Sequence, residues 1–515
     1  SGPLFGVQFS QLACSDFTTA STGTGTSVGP HRSPLGLSAD PGGFPLYKNG
    51  TVVGGVGVLS DGLYSIDKNI LNSDRDQDEM IAVAGTFGFA APKPRRADRV
   101  TVEGKTFRYS DIDFDNLPAS PDQASAYDSL QGMGMLVEVN GYGGGTIVAG
   151  TAFGQPDSGI RPAVGFDGLD AFIFVDDSNN DRFPAIAGGD AALLSVAPLS
   201  AQEVETLMKS ALAVANRSRA QIRTPQSTPA RVTISIVDSQ GRILGMVRTR
   251  DAPIFGADVS LQKARTATFF SSKDAASVLS GLGTTDYLRI EPFFADDNAS
   301  IVATPYNTIS FDDYVTAAQN FIGSDALTNG IAFADRSGGN LSRPFYPDGI
   351  RGNPSGPFSK SFVDNQWSVF SSGLQLDLVL FQILQHVIFA LDVPVTFDKT
   401  VPGSKLPDVG PNCLGAAAPT RLANGIQIFP GSVPIYRGDQ LVGGIGVSGD
   451  GIDQDDMISF LGLHEAGEAL GGSINNAPKD IRADTVKPKG ERLRYIQCPQ
   501  SPYIGSSENF VCDGK

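Results

Sequence analysis

The sequence predicts an α/β protein of the α+β type, with mainly antiparallel sheets, packed helices and two related units. Three observations predict it. Short runs of alternating apolar and polar residues turn at Asn-Gly, Gly-Asp or Gln-Gly and read as hairpins. Other stretches place apolar residues at roughly helical spacing. Finally, blocks of sequence recur in the same order in two parts of the chain.

The first block, "SGPLFGVQF" at residues 1–9, is echoed by "PSGPFSKSF" at 354–362. Next, "FPLYKNGTVVGGVGV" (44–58) returns as "VPIYRGDQLVGGIGV" (433–447). Each reads as a hairpin, turned at Asn49-Gly50 in one copy and at Gly438-Asp439 in the other. Gly54-Gly55 and Gly443-Gly444 lie inside a strand, where glycine marks a bulge or a close approach of backbone or ligand. "DQDEMIAVAG" (76–85) returns as "DQDDMISFLG" (453–462), a helix with Asp76, Asp78, Asp453 and Asp455 in its first turn. Carboxylates there accept hydrogen bonds from unpaired N–H groups and complement the helix dipole. "RADRV" (96–100) returns as "RADTV" (482–486).

Only the second copy has a leading half. Residues 199–222 form a helix with Ser200 as cap and Glu203 at the capping-box position. Residues 230–250 form a hairpin turned at Ser239-Gln240-Gly241, and 257–270 return to helix. The domain reading is therefore 1–113, the C-terminal half of a first unit; 114–198, a β-rich interdomain region; 199–498, a second unit with an insertion at about 277–424; and 499–515, a tail. Ser1 aligns with Ser355 inside the second copy, so the missing first half is expected ahead of Ser1 in a longer precursor, and the cleaved part is an expected partner.

Composition narrows the function. The chain has 515 residues, a net charge of −16 and a pI near 4.6, which exclude nucleic acid and anionic membrane surfaces as main partners. Cys498 and Cys512 bracket a Pro/Gly/Ser-rich tail and read as a disulfide at its base. Cys14 and Cys413 lie at comparable points of the repeat, so each is a candidate to bond within its own copy; the four cysteines leave three full pairings open. Disulfides and the absence of a secretory apolar core in the opening residues suit an exported, extracellular or periplasmic chain whose targeting peptide has been removed. The most apolar run, 374–391, is interrupted by Gln375, Asp377, Gln382, Gln385 and His386; it reads as a helix buried between domains or subunits of a homo-oligomer, with no membrane span.

The segments "VTISIVDSQGRILGMVRTRDAPIFGADVSLQKARTATFF" and "VPIYRGDQLVGGIGVSGDGIDQDDM" resemble the GlcG/HbpS-like family of haem-binding and haem-degradation-associated proteins. The resemblance covers residues 199–272 and 425–462, with 41–85 matching the second half alone. It implies binding of haem or a similar planar cofactor, and makes Lys263, Arg265 and Thr266 pocket-lining residues, the cationic pair meeting propionates. The alternative pairs Lys263 and Arg265 with carboxylates such as Asp238 or Asp258. His386 and His464 are candidate axial ligands, or else a hydrogen-bonded core residue and an exposed helix residue.

Other chemistry is mostly excluded. "HEAGE" at 464–468 has Glu468 where a zinc protease motif needs its second His. Phosphate-loop and nucleophile-elbow motifs do not occur, and three His in all limit acid–base chemistry, so catalysis is disfavoured. In "DDSNNDRF", Asp177, Asn179 and Asp181 alternate as calcium ligands do, but the glycine and glutamate of a calcium loop are missing; a polar hairpin turn is the alternative. The favoured function is non-catalytic haem binding by an exported protein, with structural assembly into extracellular oligomers or filaments as the alternative.

Overall fold

The structure is a computed structural model describing residues 12, 14–17, 28–31, 41–60, 72–102, 104–141, 146–152, 155, 158–225, 227–295, 298–347, 352–360, 373–397, 403–415 and 420–515. The opening phrase at 1–9 lies outside the described residues, as do 361 and 362 of its echo. The chain forms two compact units: a smaller one of residues 37–137 and 220–228, and a larger one of 1–36, 138–219 and 229–515.

The smaller unit is built on one hairpin and one helix. Strands β1 (Gly43–Lys48) and β2 (Thr51–Gly57) pair antiparallel across Asn49 and Gly50, whose φ values of 51° and 78° suit a tight hairpin turn. The register slips once, between Leu46 and Tyr47, leaving Val53 as the extra residue beside the Gly54-Gly55 pair. Helix α1 (Gln77–Gly85) is capped by Asp76, whose carboxylate accepts from the Glu79 N–H. Its Ala82 and Val83 pack with Phe44 and Ile112 to form the unit's core. Two short strands, β3 (Thr101–Val102) and β4 (Lys105–Thr106), pair with each other.

The larger unit contains, in chain order, β5 (Ile160–Pro162), β6 (Phe172–Phe174), α2 (Ala201–Arg217), β7 (Thr233–Asp238), β8 (Ile243–Arg248), α3 (Phe255–Phe270), α4 (Ala275–Gly281), β9 (Thr284–Ala295), β10 (Asn298–Ser310), α5 (Phe311–Ile322), α6 (Asp335–Leu341), α7 (Gly373–Ala390), β11 (Val395–Thr396), β12 (Ser432–Arg437), β13 (Gln440–Ser448), α8 (Ile452–Ala469) and β14 (Asn475–Asn476). Seven strands form one sheet in the order β14-β12-β13-β7-β8-β6-β5, antiparallel at every pairing. The expected α+β class with mainly antiparallel sheets is what the residues build.

Strand alternation puts helices on both faces of this sheet. Ile236, Gly245 and Ile445 lie side by side in register. A Cβ on Gly245 would meet Val204 and Met208 of α2, which marks this as the α2 face. α8 packs against α2 there, its Gly462 set against Ala211. The other face carries Gly444 and Gly446, where α3 approaches so closely that a Cβ would lie 2.5 Å from the Ala264 carbonyl or 2.0 Å from that of Ser260. The capping box of α2 (Ser200 with Glu203) and the turn at Gly241 (φ 83°) form as the sequence indicates.

Several expectations change. Residues 14–17 belong with the larger unit: Cys14 bonds to Cys413, and Phe17 packs edge-on to Phe174 at 5.1 Å. Cys14 and Cys413 therefore join each other, 399 residues apart, and each does not close within its own copy. Cys498 and Cys512 pair as expected. Within the region 114–198, β5 and β6 extend the edge of the main sheet. Also within it, residues 134–138 are irregular and exposed, Met135 at 84%. The insertion folds onto the same core, Phe358 stacking on Phe270 of α3 at 5.1 Å, and contributes a sheet in which β10 pairs antiparallel with β9 and parallel with β11.

Helix α7 is, among the described residues, the one long and apolar enough to cross a membrane, and 44% of it is buried. It packs along β9, and its Asp377 accepts from the hydroxyls of Tyr287 (2.5 Å) and Tyr314 (2.7 Å) and the ammonium of Lys360 (2.6 Å). A carboxylate held this way anchors the helix to the insertion.

Candidate functional site

The residues singled out on α3 converge on a buried polar layer. Everything in α3 after Phe255 is buried, so each polar side chain there needs a partner inside the protein. Lys263 reaches the end of β13, donating to the Val447 carbonyl (2.8 Å) and to Asp455 Oδ2 (2.9 Å). Arg265 donates to the Gly241 carbonyl (2.9 Å) and grips Asp16 through two nitrogens at 2.6 and 3.1 Å. Thr266 donates to the Gln262 carbonyl and accepts from the Gln427 N–H at 2.8 Å. The side chains of Lys263 and Arg265 are 2% exposed. Both pair with carboxylates, though with Asp455 and Asp16, neither of which the sequence reading named as a partner.

This layer continues into a charge network built by the insertion and α8. Arg336 of α6 binds Asp456 and Asp453, each at 2.5 Å, and Asp456 also accepts from the Gln497 N–H at 2.9 Å. Complete burial pushes the carboxyls of Asp455 and Asp456 up to about 6, with Lys263 and Arg336 respectively opposing the rise. Burial drives Asp335 well above the carboxylate range for the same reason, again against the pull of Lys263. The first-turn aspartates of α8 were expected to serve the helix terminus. Here they serve the network instead, because α8 starts at Ile452 behind a Gly451 cap that makes no side-chain hydrogen bond.

The histidines sit elsewhere. His386 on α7 is buried, its Nδ1 2.7 Å from Asp408 Oδ1. His464 lies on α8 with Nε2 3.3 Å from Glu468 one turn on. Neither comes near Lys263 through any contact seen here.

Calcium is not supported. Asp176, outside the proposed ligand set, organises the loop by accepting from the Ser178 and Asn180 N–H groups at 2.9 Å each. Asp177 accepts from the Val28 N–H at 3.0 Å, Asn179 has a φ of 63°, and Asp181 accepts from the Phe183 N–H at 2.9 Å. These are the contacts of a polar hairpin turn. Among the described residues no group of three or more His, Cys, Asp or Glu is placed to hold a metal ion.

An open cleft of about 560 Å³ lies at the C-terminal end of α3. Lys273, Arg421, Tyr436, Leu194 and Leu441 border it, together with Ser271, Ser272 and the turn residues Gln240 and Asp439. Arg421 is held by Asp274 at 2.7 and 3.0 Å, and burial raises the pKa of the Tyr436 hydroxyl. Sequence reasoning missed this cleft. Its residues come from six separated stretches, and the one local signal was the polar run Ser271–Asp274 that follows α3.

Residues 402–463 match the family model described as "Haem degrading protein HbpS-like", which bears out the resemblance over that segment. No curated protein matches the sequence. A solved structure described as "Crystal Structure of PduOC:Heme Complex" aligns at 13% identity over 52% of this chain and 94% of its own, with a TM-score of 0.20.

Proposed function

We propose that the chain is an exported protein that binds haem, or a similar planar cofactor bearing carboxylates, without chemistry on it. The observation that carries this reading is the match of residues 402–463 to the HbpS-like haem-degrading family. Two disulfides suit an oxidising, exported setting.

The middle of α3 does not fit such a ligand, because Lys263, Arg265 and Thr266 are buried and committed to protein partners. The cleft at the end of α3 fits better: it overlaps the matched segment at Arg421, Tyr436 and Leu441 and lies within the size range of small-molecule sites. There the exposed Lys273 would meet carboxylates and Leu194 and Leu441 would meet the ring, while Arg421 and Tyr436 are buried and Arg421 is committed to Asp274. Bound haem would supply redox or gas-binding chemistry. Neither His386 nor His464 borders the cleft, so histidine ligation is not part of this reading.

Titrating haemin into the purified protein tests it. A saturable Soret shift, weakened at least tenfold by Lys273→Ala, is expected, with haem recovered intact after incubation with a reductant. No Soret change discards the reading, and a linear tetrapyrrole product reverses its non-catalytic part.

A second reading, assembly into oligomers, is favoured by the partly exposed flank of α7, where Val387 and Leu391 are 37% and 66% exposed. A monomer by light scattering at high concentration would remove it.

A further inference from the structure

The smaller unit repeats the local structure of the larger unit's hairpin and, among the described residues, lacks what covers it. The two hairpins share one register: Pro45 faces Gly55 as Pro434 faces Gly444, and Tyr47 faces Val52 as Tyr436 faces Leu441. The slip after Leu46 matches the slip after Ile435. In the larger unit, β7 pairs with β13 from Gly443 to Ser448, and α3 covers one face. In the smaller unit, β2 pairs among the described residues with β1 alone.

The glycines show what is missing. A Cβ on Gly443, Gly444 or Gly446 would lie 2.3 Å from the Val237 carbonyl, 2.5 Å from that of Ala264 or 2.0 Å from that of Ser260. Those positions need glycine because β7 and α3 approach so closely. Their counterparts Gly54, Gly55 and Gly57 meet nothing closer than 4.0 Å, 3.5 Å and 4 Å respectively. Glycine weakens a strand interior, and nothing among the described residues of the smaller unit requires it at these places.

The socket of Lys263 is also repeated. Around Lys263 Nζ stand the Val447 carbonyl, Asp455 and Gly431, the last with φ 137°. In the smaller unit Gly42 (φ 115°) takes the place of Gly431, set against the Val58 carbonyl and Asp78 as Gly431 is against Val447 and Asp455. Val58 N–H donates to the Gly42 carbonyl at 3.0 Å, as Val447 N–H does to Gly431 at 2.7 Å. Asp78 is buried and accepts from the Ser60 N–H. The carbonyl, the carboxylate and the glycine are all in place; no lysine from the described residues joins them.

We propose that the edge of β2 at 54–59, the glycine face and this socket form a docking surface for a separate polypeptide segment of the chemistry of residues 199–272. That segment is a helix, an alternating hairpin and a second helix whose lysine reaches Asp78 and the Val58 carbonyl. Its strand adds antiparallel to β2, and its first helix covers Ile81, which is 51% exposed while its counterpart Ile458 is fully buried. Residues 199–219 and 229–272 of this chain, which carry the helix, hairpin and second helix, are themselves committed to the larger unit, so the occupant is another polypeptide. The inference stands independently of haem.

The test uses the protein isolated from its own source without denaturation, by native mass spectrometry, sequencing of bound polypeptide and hydrogen–deuterium exchange. One bound segment with the helix–hairpin–helix pattern and its lysine is expected, with amides 54–59 protected and then exposed when the segment is removed. Gly57→Val, for which there is open space in the chain alone, is expected to lower occupancy at least tenfold without changing the melting temperature of the remaining chain. A protein recovered alone, a bound segment of another pattern, a second copy of this chain on the edge, or full occupancy with Gly57→Val would each overturn the proposal.

Discussion

The two hairpins differ in burial far more than in backbone. Val442 is fully buried and Leu441 is 8% exposed; their counterparts Val53 and Val52 are 58% and 57% exposed. Yet the register, the bulge and the turn are shared. The same holds downstream. Arg96 donates to the Ala91 carbonyl and lies over Tyr109 at 4.9 Å, while Arg482 donates to the Ala477 carbonyl and lies over Tyr495 at 5.3 Å. Local pairing in these segments forms from their own residues. Burial is conferred by whatever packs on them.

The largest break in this comparison is expected at Lys263. Lys263→Met leaves Asp455 buried without its cation and should destabilise the larger unit by about 4 kcal/mol. Urea denaturation followed by exchange at β13 and at β2 checks it, with protection in β2 unchanged.

Next comes pH. Burial raises the Asp455 carboxyl to about 6 from an ordinary 3.8. The unfolded chain releases this proton near its lower, ordinary value, and the folded chain holds it until about pH 6. The contribution of this group is therefore complete below about pH 4 and is lost as pH rises to about 6, a change of about 3 kcal/mol from this group alone. Unfolding midpoints measured across that window should show the fall, and Asp455→Asn should lessen it, leaving the share of Asp456, whose carboxyl burial also raises to about 6.

The smallest effect separates the glycines. Gly446→Val forces a side chain against the Ser260 carbonyl and should cost about 2 kcal/mol. Gly57→Val in the chain alone should stay within about 0.5 kcal/mol. Equal losses from both would show that the β2 face is covered within this chain, and the contrast between the copies would end.

Much of the fold was legible because its causes are local. The cap of α2 at Ser200, the turns at Asn49-Gly50 and Gly241 and the hairpin registers depend on residues a few positions apart. The candidate site was less so. The resemblance made Lys263, Arg265 and Thr266 pocket-lining residues, with Asp238 or Asp258 as alternative partners of the two cations, and nothing nearby in sequence points to Asp455 or Asp16. The cleft was invisible for the same reason: Arg421, Lys273 and Tyr436 meet only after the insertion folds back.

Sequence by itself determined the repeated hairpin and helix, the antiparallel class and the loop closed by Cys498 and Cys512 at a separation of 14, because each depends on short-range geometry. Tertiary structure alone decided that Cys14 joins Cys413 across 399 residues, that Lys263 meets Asp455 across 192, and that one hairpin is buried while its twin is exposed. Those outcomes depend on which surfaces exclude water together, and that is a property of the packed chain rather than of any one segment.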